Sequence, residues 1–382
     1  MSKKLWRVND QDLAYVAQAI EGGLTGKYTK IFESKFAESF GVEYAVALNS
    51  GTSALHVALA AMGIGPGDEV ITTPLTFAAS TFCILYMGAT PIFADVDPHT
   101  WNIDSKSIEK KITPKTKAIV IVALYGLPAD FKAIGAIAKK HHLKILEDNA
   151  QCVLGKCGDT LAGSFGDAAI FSLQRSKHLT TGDGGVVITN DEGIAERSRK
   201  IADLGYAKLT AKPIVNENFK DQIQDPDYKR HVMLGYNFRM PEVVAAMGIA
   251  QLEKMNDLVA KRIAIAELYA QAVKGCSWLT PQASPAGYTH SWWTYVLKLD
   301  TNKISWKDFR QRFLALGGDR FYAAWALTYR EPALAYMKIP QGACPVAESL
   351  QPVLIQLKTN FEDLTYAKRQ AEILKQTIDA IN

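Results

Sequence analysis

The chain has 382 residues, 48% of them hydrophobic, with 43 basic against 39 acidic residues and a formal net charge of +4; this length and apolar content build a large core in two lobes and exclude a disordered protein. The charges are spread along the chain without a polybasic arm, which argues against nucleic acid as a partner. The opening MSKKLWRVNDQDL has no apolar stretch behind its lysines, and no later run reaches the ~20 apolar residues of a membrane span, so the expectation is a soluble cytoplasmic protein.

Asp10 to Gly22 predicts an amphipathic helix, and Tyr28 to Phe40 a second one with Phe32, Phe36 and Phe40 on one face. Gly41 to Leu48 is the first strand, after which Thr52 caps a helix running to about Gly63 and the turn GIGPGDE. The turn NSGTSAL, with Gly51, Thr52 and Ser53, is either an ordinary helix cap or an anion cradle, because a helix start offers free N–H groups and a positive dipole end. Strands at Glu69 to Thr73, Pro91 to Val96 and Lys117 to Leu124 alternate with helices at Ala79 to Met87 and Pro128 to His141, the pattern of βαβ units and a mainly parallel sheet. Phe77 follows the second strand, as core aromatics commonly do. The next segment, LKILEDNAQ, is a strand ending in carboxylates, from which an acidic side chain can enter the crevice at the carboxyl end of a parallel sheet. In an extended segment Glu147 and Asp148 point to opposite sides.

The stretch FSLQRSKHLTTGDGG places Lys177 on a short connection between two buried strands, 29 residues after Asp148. A lysine there is either solvated or held in a dry cleft, where desolvation lowers its pKa and makes the amine nucleophilic toward a carbonyl. An amine for an aldehyde, a carboxylate for a ring nitrogen and an anion cradle are together what pyridoxal 5'-phosphate requires. No GxGxxG opens a βα unit and GDGG runs into a strand, which argues against a dinucleotide-binding oxidoreductase. Residues 206–232 are polar and aperiodic and read as a long mobile loop. A helix from Pro241 to about Ile265 then links the lobes, and HSWWTYVLKL, a helix at Ser305 to Gly317 and a closing helix from Asp363 predict an α+β second lobe. The five cysteines are scattered without metal-ligand spacing and read as reduced core or near-core thiols, with no metal site expected.

The chain resembles the DegT/DnrJ/EryC1/StrS sugar aminotransferases over nearly its whole length. GGLTGKYTKIFESKFAESFG, NSGTSAL, GDEVITTPLTFAAS, GATPIFADVD, LEDNAQ, the Lys177 segment and LGYNFRMPEVVAAMGIAQL occur in the family's order. The resemblance implies an α/β enzyme of the aspartate-aminotransferase fold (fold type I), with a large cofactor-binding domain over 1–250 and a small α+β domain over 251–382. It implies pyridoxal 5'-phosphate held by Lys177, Asp148 facing the pyridine nitrogen, Gln151 near the ring hydroxyl and Phe77 stacked on the ring. Gly51, Thr52, Ser53 and Ser172 would meet the phosphate, and Asn237 would reach the phosphate of the other subunit in a homodimer. Asn149 stands where the family often has a small residue.

The resemblance further implies glutamate as amino donor and a keto sugar as acceptor, in most of the family a nucleotide-linked keto-deoxy sugar used in amino-sugar biosynthesis. Arg320 and Tyr322 would lie near the acceptor, and Lys229 and Arg230 could meet a diphosphate. A keto-cyclitol or a small phosphorylated ketone is the alternative acceptor. Relatives with histidine at the anchor position dehydrate the sugar; here Lys177 holds that position, and His178 after it reads as a packing or loop residue. The presence of both lysine and carboxylate also separates the chain from a non-catalytic cofactor-binding regulator.

Overall fold

The computed structural model describes residues 6–212 and 224–381. Helix α1 (Asp10–Glu21) begins at Asn9, whose side chain and that of Asp12 satisfy each other's backbone N–H in a capping box. Helix α2 (Lys27–Phe40) buries Phe32, Phe36 and Phe40 on the predicted face. Their rings meet Phe171 of the central sheet, with Phe40 at 4.4 Å and Phe36 at 5.3 Å between centroids, so these helices are scaffold on one side of that sheet.

Through the first lobe follow β1 (Tyr44–Leu48), α3 (Gly51–Ala61), β2 (Glu69–Thr72), α4 (Ala79–Tyr86), β3 (Thr90–Phe93), α5 (Ser105–Lys111), β4 (Thr116–Val122), α6 (Phe131–His141) and β5 (Lys144–Asp148). The short β6 (Lys156–Cys157) and β7 (Thr160–Leu161) precede β8 (Ala168–Ser172), β9 (Gly185–Thr189) and α7 (Glu192–Ala202). The central sheet has seven strands in the order β1-β9-β8-β5-β4-β2-β3. Pairing is parallel from β3 through β8, and only β9 runs against the rest. Both faces are covered, so the strands read as continuous apolar runs, with Val120, Leu146, Ile170 and Val187 buried toward one core and Ile119, Ile121 and Ile145 toward another.

The expected linking helix is two helices, Glu242–Glu253 and Met255–Val273, with Lys254 outside helical geometry between them. Gln251 and Lys254 hold the chain at this break, both donating to the carbonyl of Arg7 and to the carboxylate of Asp12. Apolar periodicity continues across the break, so the pattern by itself could not reveal it.

The second lobe is a four-stranded antiparallel sheet of Leu279–Pro281, Thr294–Leu299, Leu354–Lys358 and Tyr322–Ala323. Residues of the helices Met255–Val273, Trp306–Ala315 and Leu364–Asp379 share its core around Tyr295, Phe309 and Phe313. The lobes meet where Leu75, Phe93, Val122 and Tyr125 pack on Val296, Leu327 and Tyr329. Asp95 fastens the junction: its carboxylate accepts from the N–H groups of Val346 and Ala347, each at 2.9 Å, at the start of the helix Pro345–Leu350.

The predicted loop over 206–232 lies partly outside the described residues. Its two ends are tied by a bridge between Tyr206 and His231 and by the N–H of Ala207 donating to the carbonyl of Arg230 at 2.8 Å. Among the described residues no helix is long and apolar enough to cross a membrane, no His, Cys, Asp and Glu cluster is arranged for a metal, and the five cysteines are free.

Candidate active site

Asp148 ends β5 at the carboxyl edge of the sheet, flanked by β4 and β8. Its carboxylate is buried and accepts from the Ser80 hydroxyl at 2.7 Å and the Ala150 N–H at 3.1 Å. Burial raises its pKa, against which the Ser80 and Ala150 bonds and the positive charge of Lys177 act. Glu147 turns to the other side, as extended backbone requires. There it accepts from the N–H groups of Gly163, Phe165 and Gly166 and from the Asn149 amide, fixing a loop away from Asp148.

Lys177 lies in the connection between β8 and β9, its N–H donating to the Gln174 carbonyl at 2.8 Å. Its Nζ stands 4.5 Å from the centroid of the Trp293 ring, which the second lobe supplies. Burial pulls the amine down to about 8; Asp148 opposes this and the positive charge of Arg262 adds to it. Lys177 is half-buried, with its amine against the Trp293 ring, which favours the cleft over the fully solvated reading. His178 is fully buried with Nε2 2.9 Å from the Ser291 carbonyl, a packing position.

Gln151 accepts from the Tyr125 N–H at 2.8 Å, so its oxygen is engaged and its amide nitrogen is left as a donor. That bond helps hold Tyr125 in left-handed backbone, φ 61°, with a fully buried ring whose hydroxyl has no partner. Trp325 stacks near Tyr125 at 6.5 Å, and at 5.6 Å and 5.8 Å it meets Phe77 and Trp293. Phe77 is 53% exposed, which rules out the core-packing role and leaves the ring available to the cleft.

At the start of α3 the cap is Ser50, not Thr52: the Ser50 hydroxyl accepts from the Ser53 N–H at 3.0 Å, and Thr52 sits inside the first turn. Ser53 spends its hydroxyl on Asn49 at 2.6 Å, so the groups left for an anion are the first-turn N–H groups of Gly51 and Thr52, with the Thr52 side chain beside them. Gly51 is there by necessity, because a Cβ on it would come 2.8 Å from the Ser172 Cβ. This close approach seats Ser172 against the helix start. Gly185 is equally constrained, since a Cβ would fall 2.1 Å from the Ser50 carbonyl oxygen.

Asn237 is exposed and pairs through its backbone with Asp203. It borders a cavity of about 860 Å³ whose lining includes Lys30, Arg199, Tyr228 and Arg239 but neither Lys177 nor Asp148. Lys229 and Arg230 are exposed on the neighbouring segment, with the Arg230 guanidinium 5.8 Å from the Tyr228 ring. Arg320 is exposed, and Tyr322, 64% exposed, lies on the edge strand of the small sheet. Thus one chain gathers Asp148, Gln151, Lys177, Ser172 and the Gly51–Thr52 turn, while Asn237, Lys229 and Arg230 stand apart. Sequence reasoning missed Ser80, Tyr125, Trp293 and Trp325. None carries a local signal: Ser80 sits within an apolar helix, and both tryptophans reach the site from the other lobe.

A lysine of lowered basicity in the electrostatic reach of a buried carboxylate, beside an anion-ready helix start at the edge of a mainly parallel sheet, defines a fold-type I vitamin B6 enzyme. The profile of the DegT/DnrJ/EryC1/StrS aminotransferase family matches residues 7–370, and the chain belongs to that family. It is 39% identical to the spore coat polysaccharide biosynthesis protein SpsC of Bacillus subtilis (78% of this chain, 75% of the relative). It is 36% identical to the GDP-perosamine synthase of Caulobacter vibrioides (79% and 78%). Among solved structures, the aminotransferase from Psychrobacter cryohalolentis superposes with a TM-score of 0.88 at 31% identity, covering 98% of this chain and 97% of that one.

Enzymes of the family are pyridoxal-phosphate dependent. The residues present fit that cofactor: an amine near its reactive range, a buried carboxylate without a cation bonded to it, a helix start closed by Gly51 against Ser172, and an orphaned Tyr125 hydroxyl in the same cleft.

Proposed function

We propose that Lys177 anchors pyridoxal 5'-phosphate and that the enzyme moves an amino group from glutamate to a keto-deoxy sugar carried on a nucleoside diphosphate, as a cytoplasmic homodimer. The observation that carries this reading is the Lys177 amine, lowered to about 8 by burial and within electrostatic reach of Asp148. The likeness to a GDP-perosamine synthase supports the acceptor class, and the free cysteines suit a reducing compartment.

Bound at Lys177, the cofactor supplies an electron sink for the charge that develops at the donor's α-carbon. Lys177 Nζ, its basicity lowered by burial, takes the proton from that carbon and later delivers one to the carbon that was the acceptor's carbonyl. Asp148, oriented by Ser80, holds a proton on the ring nitrogen, because an adjacent carboxylate favours the charged form. Gln151 offers its amide N–H to the ring hydroxyl, and the N–H groups of Gly51 and Thr52 with Ser172 hold the phosphate. Trp293, with Trp325 packed on it, keeps water from the Lys177 amine.

The acceptor is tested by converting the enzyme to its amino-loaded form with glutamate and following return of the visible absorption across keto sugars on nucleotides, keto-cyclitols and small ketone phosphates. Nucleotide-linked ketones are expected to restore the spectrum, with a KM that rises with salt because diphosphate contacts to Lys229 or Arg230 are screened. Recovery with free ketones alone would reject the nucleotide and leave the aminotransferase intact.

The exposed Asn237, outside its own chain's cleft, fits a site completed by a second subunit. Mixing inactive Lys177→Ala chains with an inactive Asn237→Ala variant should then recover activity in the mixed dimers, each of which contains one intact site. Subunit exchange without recovery would place Asn237 outside the shared site.

A further inference from the structure

Four consecutive carbonyls around the anchor lysine are taken by donors from three distant parts of the chain. Arg7 donates to the carbonyls of Arg175 and Lys177 and, at 3.2 Å, to that of His178. Arg262, within the helix Met255–Val273, donates to Ser176 and Lys177 at 3.2 Å and 3.0 Å, and its other terminal nitrogen to the Trp293 carbonyl and the Thr359 hydroxyl at 2.8 Å and 3.1 Å. The Trp293 indole N–H, whose ring carries the Lys177 amine, donates to Ser176 at 2.9 Å.

Both guanidiniums are buried, with 2% exposure for Arg7 and 3% for Arg262. Among the described residues neither has a carboxylate at ion-pair distance. The charge of Arg7 is felt at Arg262, and that of Arg175 at Arg7. Two like charges out of water, compensated by carbonyl dipoles and one hydroxyl, are a costly arrangement for pinning a loop, which neutral donors could do.

We propose that Arg7 and Arg262 are positioning residues for the reaction: they lock the Lys177 turn from behind through its carbonyls, and the Arg262 charge keeps the amine in its neutral, nucleophilic form. Arg7 is itself held in place, its carbonyl accepting from Gln251 and Lys254 at 2.9 Å and 3.0 Å. The charged or titratable groups that bear on Lys177 are Asp148, which favours the ammonium, and Arg262, which opposes it. Behind the turn stand Arg7, Arg175 and His178; His178 stays neutral because burial and the Arg262 charge both depress it. Arg262 therefore offsets part of the pull of Asp148, and the lysine can form its covalent link near neutral pH.

The inference rests on Lys177 as the anchor, and its test separates the two. The full chain stripped of cofactor is titrated with pyridoxal 5'-phosphate between pH 6 and 10, with borohydride trapping and peptide mapping to measure capture at Lys177. If the wild-type chain never labels Lys177, the anchor assignment fails. If it labels Lys177, with a midpoint expected near 8, the arginine variants are judged against that midpoint. Arg262→Gln should then raise the midpoint by about one pH unit, since a nearby positive charge is gone. Arg262→Lys should keep the midpoint, because the charge stays, but weaken cofactor retention about tenfold, because an ammonium cannot span the carbonyls that the guanidinium fork spans. A folded Arg262→Gln chain with an unmoved midpoint overturns the inference. Where that chain does not fold, Arg262→Lys decides: a raised midpoint, or retention equal to wild type, overturns it.

Discussion

Lys177→Ala is expected to abolish turnover while the chain stays folded. Loss of the proton-transfer role alone accounts for about 10²–10⁴-fold, and loss of the covalent tether removes the route by which the cofactor is exchanged with the donor. Stability should hold or rise, because the substitution deletes a desolvated amine rather than a packed group. In the wild type, borohydride trapping should label Lys177 and no other lysine, and capture by the apoprotein should rise with pH and level off above about 8, the value to which burial brings the amine. An ordinary exposed lysine would keep gaining reactivity to about 10.4. The sign follows from burial disfavouring the ammonium: below pH 8 the folded state carries a desolvated charge that costs stability, and this cost is lifted as pH rises toward the unfolded value. Label on a different lysine, or a variant that turns over, would sink the assignment.

Asp148→Asn is the second large effect. The amide can still accept from Ser80, so the cofactor should remain bound, but the charge that holds a proton on the ring nitrogen is gone, and kcat should fall by about 10²–10⁴-fold. The same substitution removes the group that favours the Lys177 ammonium, so the midpoint of cofactor capture should move below the wild-type value of about 8. A purely structural Asp148 would behave otherwise: melting temperature would drop while kcat and the capture midpoint stayed where they were. The two readouts together distinguish an electrostatic role from a packing one.

Much of the architecture is legible because it is written in local periodicity. Phe32, Phe36 and Phe40 recur every fourth residue and are buried on one face of α2, and the alternation of apolar strands with helices from Glu69 to Asp148 is the parallel half of the central sheet. Where local rules leave several equivalent choices, the chain had to be folded to decide. Ser50, Thr52 and Ser53 can each cap a helix; Ser50 does so because its backbone is extended, φ −162°, and because Gly51 must press against Ser172. The single helix expected after Pro241 is broken at Lys254 by contacts with Arg7 and Asp12, more than 240 residues away in sequence, and no window of neighbouring residues contains that information.

By itself the sequence determined the family, the α/β order, and the two residues whose chemistry is intrinsic to their type, an amine at 177 and a carboxylate at 148. What shifts the protonation of those groups is a property of surroundings, not of type. Only the tertiary structure brings Ser80 to Asp148, sets Trp293 of the second lobe beside Lys177 with Trp325 packed on it, leaves the Tyr125 hydroxyl unpartnered, and closes Arg7 and Arg262 around the carbonyls of residues 175–178. The reason is physical: a pKa is moved by burial and by charges close in space, and residues 7, 148, 177, 262 and 293 become neighbours only when the two lobes pack.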